Sequence, residues 1–241
     1  MTIKLLGILT GLSLFIGANI CAAQTSGAGT PAATPLAAAQ GYVPPMRGAP
    51  SRRVGGSSRG VDDQLPNVVA LVPDHVGLTT MEHPTLYWYL SKPTAVPIEI
   101  TLIREARIQP LIEASAGTAL AAGIHAIRLS DYGVNLVPGV EYEWSVALVL
   151  NPDERSHDII SAGAMMRVGL APDQETRLAG IGRNVVGLAY AQEGIWYDAI
   201  ATLSAAIDAD AANKHLHAQR AGVLEQVGLG EPAAFDVLSV K

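Results

Sequence analysis

Between Pro66 and Val168 the apolar residues fall in short runs that turn residues interrupt. The runs are Val68–Val72, Leu86–Leu90, Ile98–Arg104, Ile108–Glu113, Gly123–Leu129, Tyr142–Leu150 and Ile159–Val168. Pro73-Asp74, Lys92-Pro93, Ala116-Gly117, Pro138-Gly139 and Asn151-Pro152 punctuate them. Several runs alternate with period two. Ile98, Ile100 and Leu102 share one face, and the even-numbered residues from Tyr142 to Leu148 share another. About seven short strands in roughly 100 residues predict an antiparallel β-sandwich over residues 65–170.

After Gln174 the period lengthens. Ile181, Val185, Leu188 and Gln192 recur at helical spacing, as do Ile200, Leu203 and Ile207, with Gly194 between them as a helix-ending residue. Shifting the sequence by 34 residues brings Tyr190 onto Leu224, Gly194 onto Gly228, Ala199 onto Ala233 and Leu203 onto Val237. Residues 174–241 thus resemble tetratricopeptide helical hairpins, with Ala211 where the closing proline would stand. Only about one and a half units are present, fewer than the roughly three a solenoid needs, so this segment must dock on the sandwich, on a second copy or on a partner.

The segment before the sandwich has neither period. Lys4 precedes an apolar run from Leu5 to Ile16 that is short for a bilayer span, and Cys21-Ala22-Ala23 fits a small-x-small processing site. Residues 1–23 are expected to be a signal peptide, cleaved after Ala23. Lipid anchoring through Cys21 is disfavoured by the bulky Ile20 before it. Residues 24–64, rich in Ala, Gly, Thr and Pro and then in Arg, bury too little surface to offset the entropy of ordering and predict a disordered linker. Arg59, among glycines, is a candidate anion or partner contact.

Composition narrows the function. The formal charge is −6, one unit more negative once Lys4 is removed, which argues against nucleic acid as a partner. Cys21 is the only cysteine, so the processed chain has no disulfide, thiol nucleophile or Cys-based metal site. Walker, Gly-x-Ser-x-Gly and His-Glu-x-x-His motifs are absent, and no second apolar stretch is long enough to span a membrane. No cofactor and no metal are expected. His215 and His217 point about 200° apart on a helix and read as surface histidines. Asp74, His75, Glu82 and His83 match no metal-ligand spacing.

Two polar or aromatic segments stand out. Asn151 to Asp158 joins two apolar strands as a hairpin loop in which Asp153, Arg155, Ser156 and Asp158 crowd together. They either satisfy one another or form a recognition loop at one end of the sandwich. Three adjacent residues such as Ser156-His157-Asp158 cannot form a catalytic relay. In Gly194-Ile195-Trp196-Tyr197-Asp198, the rings of Trp196 and Tyr197 either fasten the helices to the sandwich, contributing about 2–3 kcal/mol for a buried ring, or form an exposed hot spot for a partner.

Leu136-Val137-Pro138-Gly139-Val140-Glu141-Tyr142 resembles the tyrosine-bearing corner of fibronectin type III-like sandwiches, which implies an inward Tyr142 ring whose hydroxyl bonds back to the turn. Trp88 would then be a central core residue. The chain as a whole resembles the bacterial family known as domain of unknown function 928, over about residues 50–205. The resemblance rests on Gly55–Gly60, Pro84–Tyr89, Pro138–Trp144, Asn151–Asp158 and Gly194–Ala199. It implies an exported β-domain with a helical end, and implies no activity.

The reading that follows is a non-catalytic interaction or adaptor protein, periplasmic or secreted, whose partner is another envelope protein. An alternative is a carbohydrate-binding or hydrolytic module using Asp153 and Asp158, which would have to lie about 5–9.5 Å apart across one cleft. A third is a self-assembling homo-oligomer.

Overall fold

The computed structural model describes residues 41–45, 53–55, 65–105 and 107–240. The predicted signal peptide, Arg59 and most of the predicted linker lie outside the described residues.

Eight strands form two sheets: β1 (Val68–Ala70), β2 (Gly77–Thr79), β3 (Thr85–Leu90), β4 (Ile98–Arg104), β5 (Ile112–Gly117), β6 (Gly123–Arg128), β7 (Glu141–Leu148) and β8 (Ile159–Arg167). One sheet has the order β1-β3-β6 and the other β2-β8-β7-β4-β5. Every pairing is antiparallel except β2 with β8. The period-two faces read from sequence are the buried ones. Ile98, Ile100 and Leu102 of β4 are wholly buried, as are Tyr142, Trp144, Val146 and Leu148 of β7. Leu86, Trp88 and Leu90 of β3 join them in one core. The Tyr142 hydroxyl accepts a hydrogen bond from the backbone N–H of Val137 at 3.0 Å, the contact its turn sequence implied.

Two strands depart from the sequence reading. β2 was not anticipated: it has only three residues, and its pairing with β8 is supplied from outside its own sequence. β5 begins at Ile112 rather than Ile108. Leu102 pairs with Ile112, the N–H of Leu111 donates to the Leu102 carbonyl, and Ile108 projects fully into solvent from the hairpin tip. Pro110, which has no N–H for a ladder, falls in the turn instead.

The rest of the unit is helical: α1 (Pro172–Leu178), α2 (Arg183–Gln192), α3 (Trp196–Ala209), α4 (Lys214–Gln226) and α5 (Gly230–Leu238). Gly180, whose φ of 80° favours glycine, separates α1 from α2, and Ile181 of the sequence period lies just before α2 begins. Helices α2 and α3 approach closely at Gly187, where an added Cβ would lie 2.8 Å from Leu203 Cγ. The helices cover the outer face of the three-stranded sheet. Tyr89 of β3, 4% exposed, packs on the Phe235 ring of α5 with centroids 5.3 Å apart. Among the described residues no helix is long and apolar enough to cross a membrane.

Two stretches of the expected linker are packed rather than solvated. Val43 N–H donates to Ala191 O, and Tyr42 is buried against Trp196, edge to face at 5.0 Å. The Tyr42 hydroxyl meets His75 Nε2 at 2.7 Å, and His75 Nδ1 meets Asp74 at 3.1 Å. Val54 bridges to Ala162 of β8, and Arg53 donates to the carbonyl of Val227 at 2.7 Å. Single aromatic, apolar and cationic residues anchor these stretches; their average composition gave no sign of it.

Candidate functional site

The sequence Trp196-Tyr197-Asp198 opens α3, and all three side chains are buried against the β-domain. Trp196 Nε1 donates to the Leu71 carbonyl at 2.9 Å. The Tyr197 hydroxyl accepts from Trp144 Nε1 at 3.0 Å and donates to the Ala164 carbonyl at 3.1 Å. Burial pushes the Tyr197 phenol above its ordinary range. The Asp198 carboxylate accepts from Thr79 Oγ1 at 2.6 Å, and from both the N–H and the hydroxyl of Thr80. Burial raises the Asp198 carboxyl, and the hydrogen bonds from Thr79 and Thr80 oppose that shift. Trp196 and Tyr197 therefore are not an exposed hot spot, because each ring and each polar tip already has a partner within the chain. Asp198 and its two threonines were not legible in sequence, since they come from segments 118 residues apart.

The hairpin loop between β7 and β8 is also turned on itself. Arg155 Nε donates to Asp158 Oδ2 at 2.6 Å, and its terminal nitrogens reach both oxygens of Glu99 at 2.9 and 3.4 Å. These two carboxylates hold the Arg155 guanidinium well above its ordinary range. The Asp158 side chain is buried, with its other oxygen unpartnered among the described residues, while Asp153 and Ser156 are exposed. The N–H of Asp153 donates to Asn151 Oδ1, closing an Asx turn. Arg155 thus takes up one oxygen of Asp158 and both oxygens of Glu99, while Asp153 stands apart from that ion pair.

A second polar cluster lies inside the helical layer. Arg220 forks onto Asp236 at 2.7 and 2.8 Å and donates to Ser204 Oγ at 2.8 Å. His217 Nδ1 lies 2.7 Å from Asp236, and its Nε2 lies 3.2 Å from the Ala211 carbonyl. His217 is only 7% exposed, which corrects its reading as a surface histidine; His215 is exposed as expected. The error came from treating α4 as an isolated helix, when α5 folds back and covers the His217 face. The loop histidines also diverge: His75 goes to Tyr42 and Asp74, and His83 to the Val134 carbonyl.

Among the described residues an open groove lies on the helical layer. Val186, Thr202, Ala205, Ala206, Ala209 and Leu216 line it, with Asp210 and Asn213 at one end. Its volume is about 420 Å³, within the range of ligand-sized pockets. Thr202, Ala205, Ala206 and Ala209 give the α3 part of its lining small side chains. Asn213 fixes the end wall: its Oδ1 caps α4 by accepting from the His215 N–H, and its Nδ2 donates to Asp210.

The family model described as Domain of Unknown Function (DUF928) matches residues 54–236, most of the chain. The chain belongs to the DUF928 family. That match takes in both sheets and nearly all of the helical layer, so the β-domain and the helices of this DUF928 chain are matched by one family model. No curated protein matches the sequence. A multi-domain immunophilin from Arabidopsis thaliana, known from a crystal structure, aligns with 70% of this chain and 98% of its own. The identity is 9% and the TM-score 0.18, so the likeness carries no argument.

Proposed function

We propose that this DUF928 chain is a non-catalytic interaction module of the cell envelope, and that it takes a peptide segment of another envelope protein into the groove between α2, α3 and α4. The observation that carries the reading is the fixed seat of α3. Tyr197 and Asp198 tie its first turn into the β-domain, so the groove on the same helix is held ready rather than formed on binding. A preorganised surface loses less entropy on association. The lining of alanines, Thr202 and Val186 suits small apolar side chains, and exposed Asp210 at the end suits a Lys or Arg of the occupant.

Local geometry supports a tetratricopeptide-like helical layer. The Ile195 N–H donates to Tyr190 O, and 34 residues later the Leu229 N–H donates to Leu224 O. Gly194 and Gly228 have φ of 74° and 75° at the two matching turns. Strand order and the Tyr142 corner support an Ig/fibronectin-like sandwich. The apolar run after Lys4 and the Ala23 processing site support export to the periplasm or beyond.

A photo-cross-linking amino acid at Ala205 in the groove, compared in living cells with the same group at exposed Ile160 of β8, tests the reading. One discrete envelope protein captured from Ala205 alone, and lost on Asp210→Lys, is the expected result. Equal capture from both sites, or none from either, overturns it.

A further inference from the structure

Strand register brings three loops to one end of the β-domain. Thr79 at the end of β2 pairs with Arg167 at the end of β8, and Arg104 at the end of β4 pairs with Tyr142 near the start of β7. Thr85 at the start of β3 pairs with Arg128 at the end of β6. The β2–β3, β4–β5 and β6–β7 connections therefore leave the sheets on the same side. Backbone bonds tie them together there: Leu136 N–H donates to Glu82 O, Leu129 N–H to Pro84 O and Glu105 N–H to Glu141 O.

Half of the large apolar side chains that stand exposed among the described residues are at this end: Met81, Ile108, Leu111, Tyr132 and Val137. Ile108 is 99% exposed, and the other four are 41–50% exposed. Apolar residues scattered singly over a surface need no explanation, but a collection of them marks a contact. They follow the end of the five-stranded sheet. Met81 comes just after β2, Val137 stands before β7 beside the end of β8, and Ile108 and Leu111 lie between β4 and β5. At about 4.8 Å between strands, that row is about 19 Å long. Tyr132 follows β6 in the other sheet, ~10 Å behind it.

Arginines accompany the most exposed tip. Arg104 and Arg107 border an open depression together with Ile108 and Leu111, and guanidinium groups suit phosphate oxygens. The carboxylates at this end are engaged within the chain. Glu82 lies 3.7 Å from Arg167, Glu141 has one oxygen buried, Glu105 has an intrachain contact, and Asp131 accepts from Ser130 Oγ at 3.2 Å.

We propose that this end of the β-domain docks on a membrane surface containing anionic phospholipid, with Ile108 entering between headgroups and Arg104 and Arg107 against their phosphates. A protein partner would need a matching pocket for each projecting tip. A lipid surface needs none, because its interface is fluid and takes in apolar side chains wherever they stand. Tyr132 has the ring and polar tip that suit that interface. The loops are already tied to one another, so little entropy is lost on docking. The groove on the helices takes no part in this contact.

The test is co-sedimentation with vesicles of equal parts phosphatidylglycerol and phosphatidylethanolamine, compared with vesicles of phosphatidylcholine alone. The chain lacks residues 1–23, whose apolar run would itself enter lipid, and keeps every described residue. Binding should be weaker than the roughly 10⁴ M⁻¹ of a single myristoyl chain, so lipid is carried to about 5 mM. The expected result is saturable binding to the anionic vesicles and binding at least about fivefold weaker to phosphatidylcholine. Ile108→Asp should weaken it about tenfold or more, and Arg107→Gln about fivefold. Both residues are exposed, so neither variant disturbs the core. Ile160→Asp, at the opposite end of the sheet, should bind as the native chain does. No binding to anionic vesicles, equal binding to phosphatidylcholine, or undiminished binding by Ile108→Asp each overturns the proposal. So does a dimer, seen by light scattering without lipid, that Ile108→Asp disperses, since the end would then belong to a second copy. None of these outcomes bears on cross-linking from Ala205.

Discussion

The Trp144 indole N–H points at the Tyr197 hydroxyl, 3.0 Å away, so a core residue of β7 is hydrogen-bonded to the second residue of α3. The hydroxyl in turn donates to the Ala164 carbonyl of β8. Two sheet strands and one helix therefore share a single buried oxygen.

Tyr197→Phe keeps the ring and removes that oxygen. A buried indole N–H and a buried carbonyl then lose their partner. Leaving buried polar groups unsatisfied costs about 1–3 kcal/mol. Urea unfolding followed by tryptophan fluorescence should show the midpoint falling with no change in slope. A loss near zero would mean that the contact does not join the two parts.

Asp198 makes the same joint depend on pH. Its folded-state carboxyl is raised above the ordinary 3.8, chiefly by burial. The folded state therefore holds the proton more tightly than the unfolded chain does. This contribution to stability is full below pH 3.8 and is lost as pH rises through the raised value. Asp198→Asn cannot ionise. Its stability relative to the native chain should become more favourable as pH rises from about 4 toward neutrality, measured by thermal melts at a series of pH values. A difference that is flat across that range would count against it.

Within the helical layer, Asp236 serves both Arg220 and His217, and all three are buried. Asp236→Ala strands a buried guanidinium. Removing one partner of a buried ion pair costs about 3–5 kcal/mol. Chemical denaturation should detect this loss, and Arg220→Met combined with Asp236→Leu should recover part of it, because a well-packed apolar pair can replace a buried ion pair.

The β7–β8 loop should respond locally. Arg155 is solvent-exposed but fastens Glu99 of β4 to Asp158. Arg155→Ala should leave the melting temperature nearly unchanged while speeding proteolytic cleavage between Asn151 and Asp158. Cleavage at an unchanged rate would show that the Asx turn at Asn151 holds the loop by itself.

Much of this was legible in the sequence because it depends on local periodicity. The faces of β4 and β7 follow from period two, the Tyr142 turn from its Pro-Gly, and the two helix-ending glycines from their 34-residue spacing. Trp88 was placed in the core correctly, but that its N–H has no partner among the described residues was not foreseeable. That depends on which side chains the facing sheet edges bring near it. Trp196 and Tyr197 carried two readings in sequence, and only their surroundings chose between them.

By itself, then, the sequence determined which residues turn inward, where the chain changes from strands to helices, and which glycines reverse it. Those outcomes are set by neighbours a few residues away. Tertiary structure alone decided that β2 lies parallel to β8, that Asp198 is held by Thr79 and Thr80, and that His217 lies beneath α5. In each of these the partner sits on a separate element, and residue spacing does not say which elements will meet. The energy that fixes it, burial and hydrogen bonding in a shared interior, exists only after the sheets and helices have met.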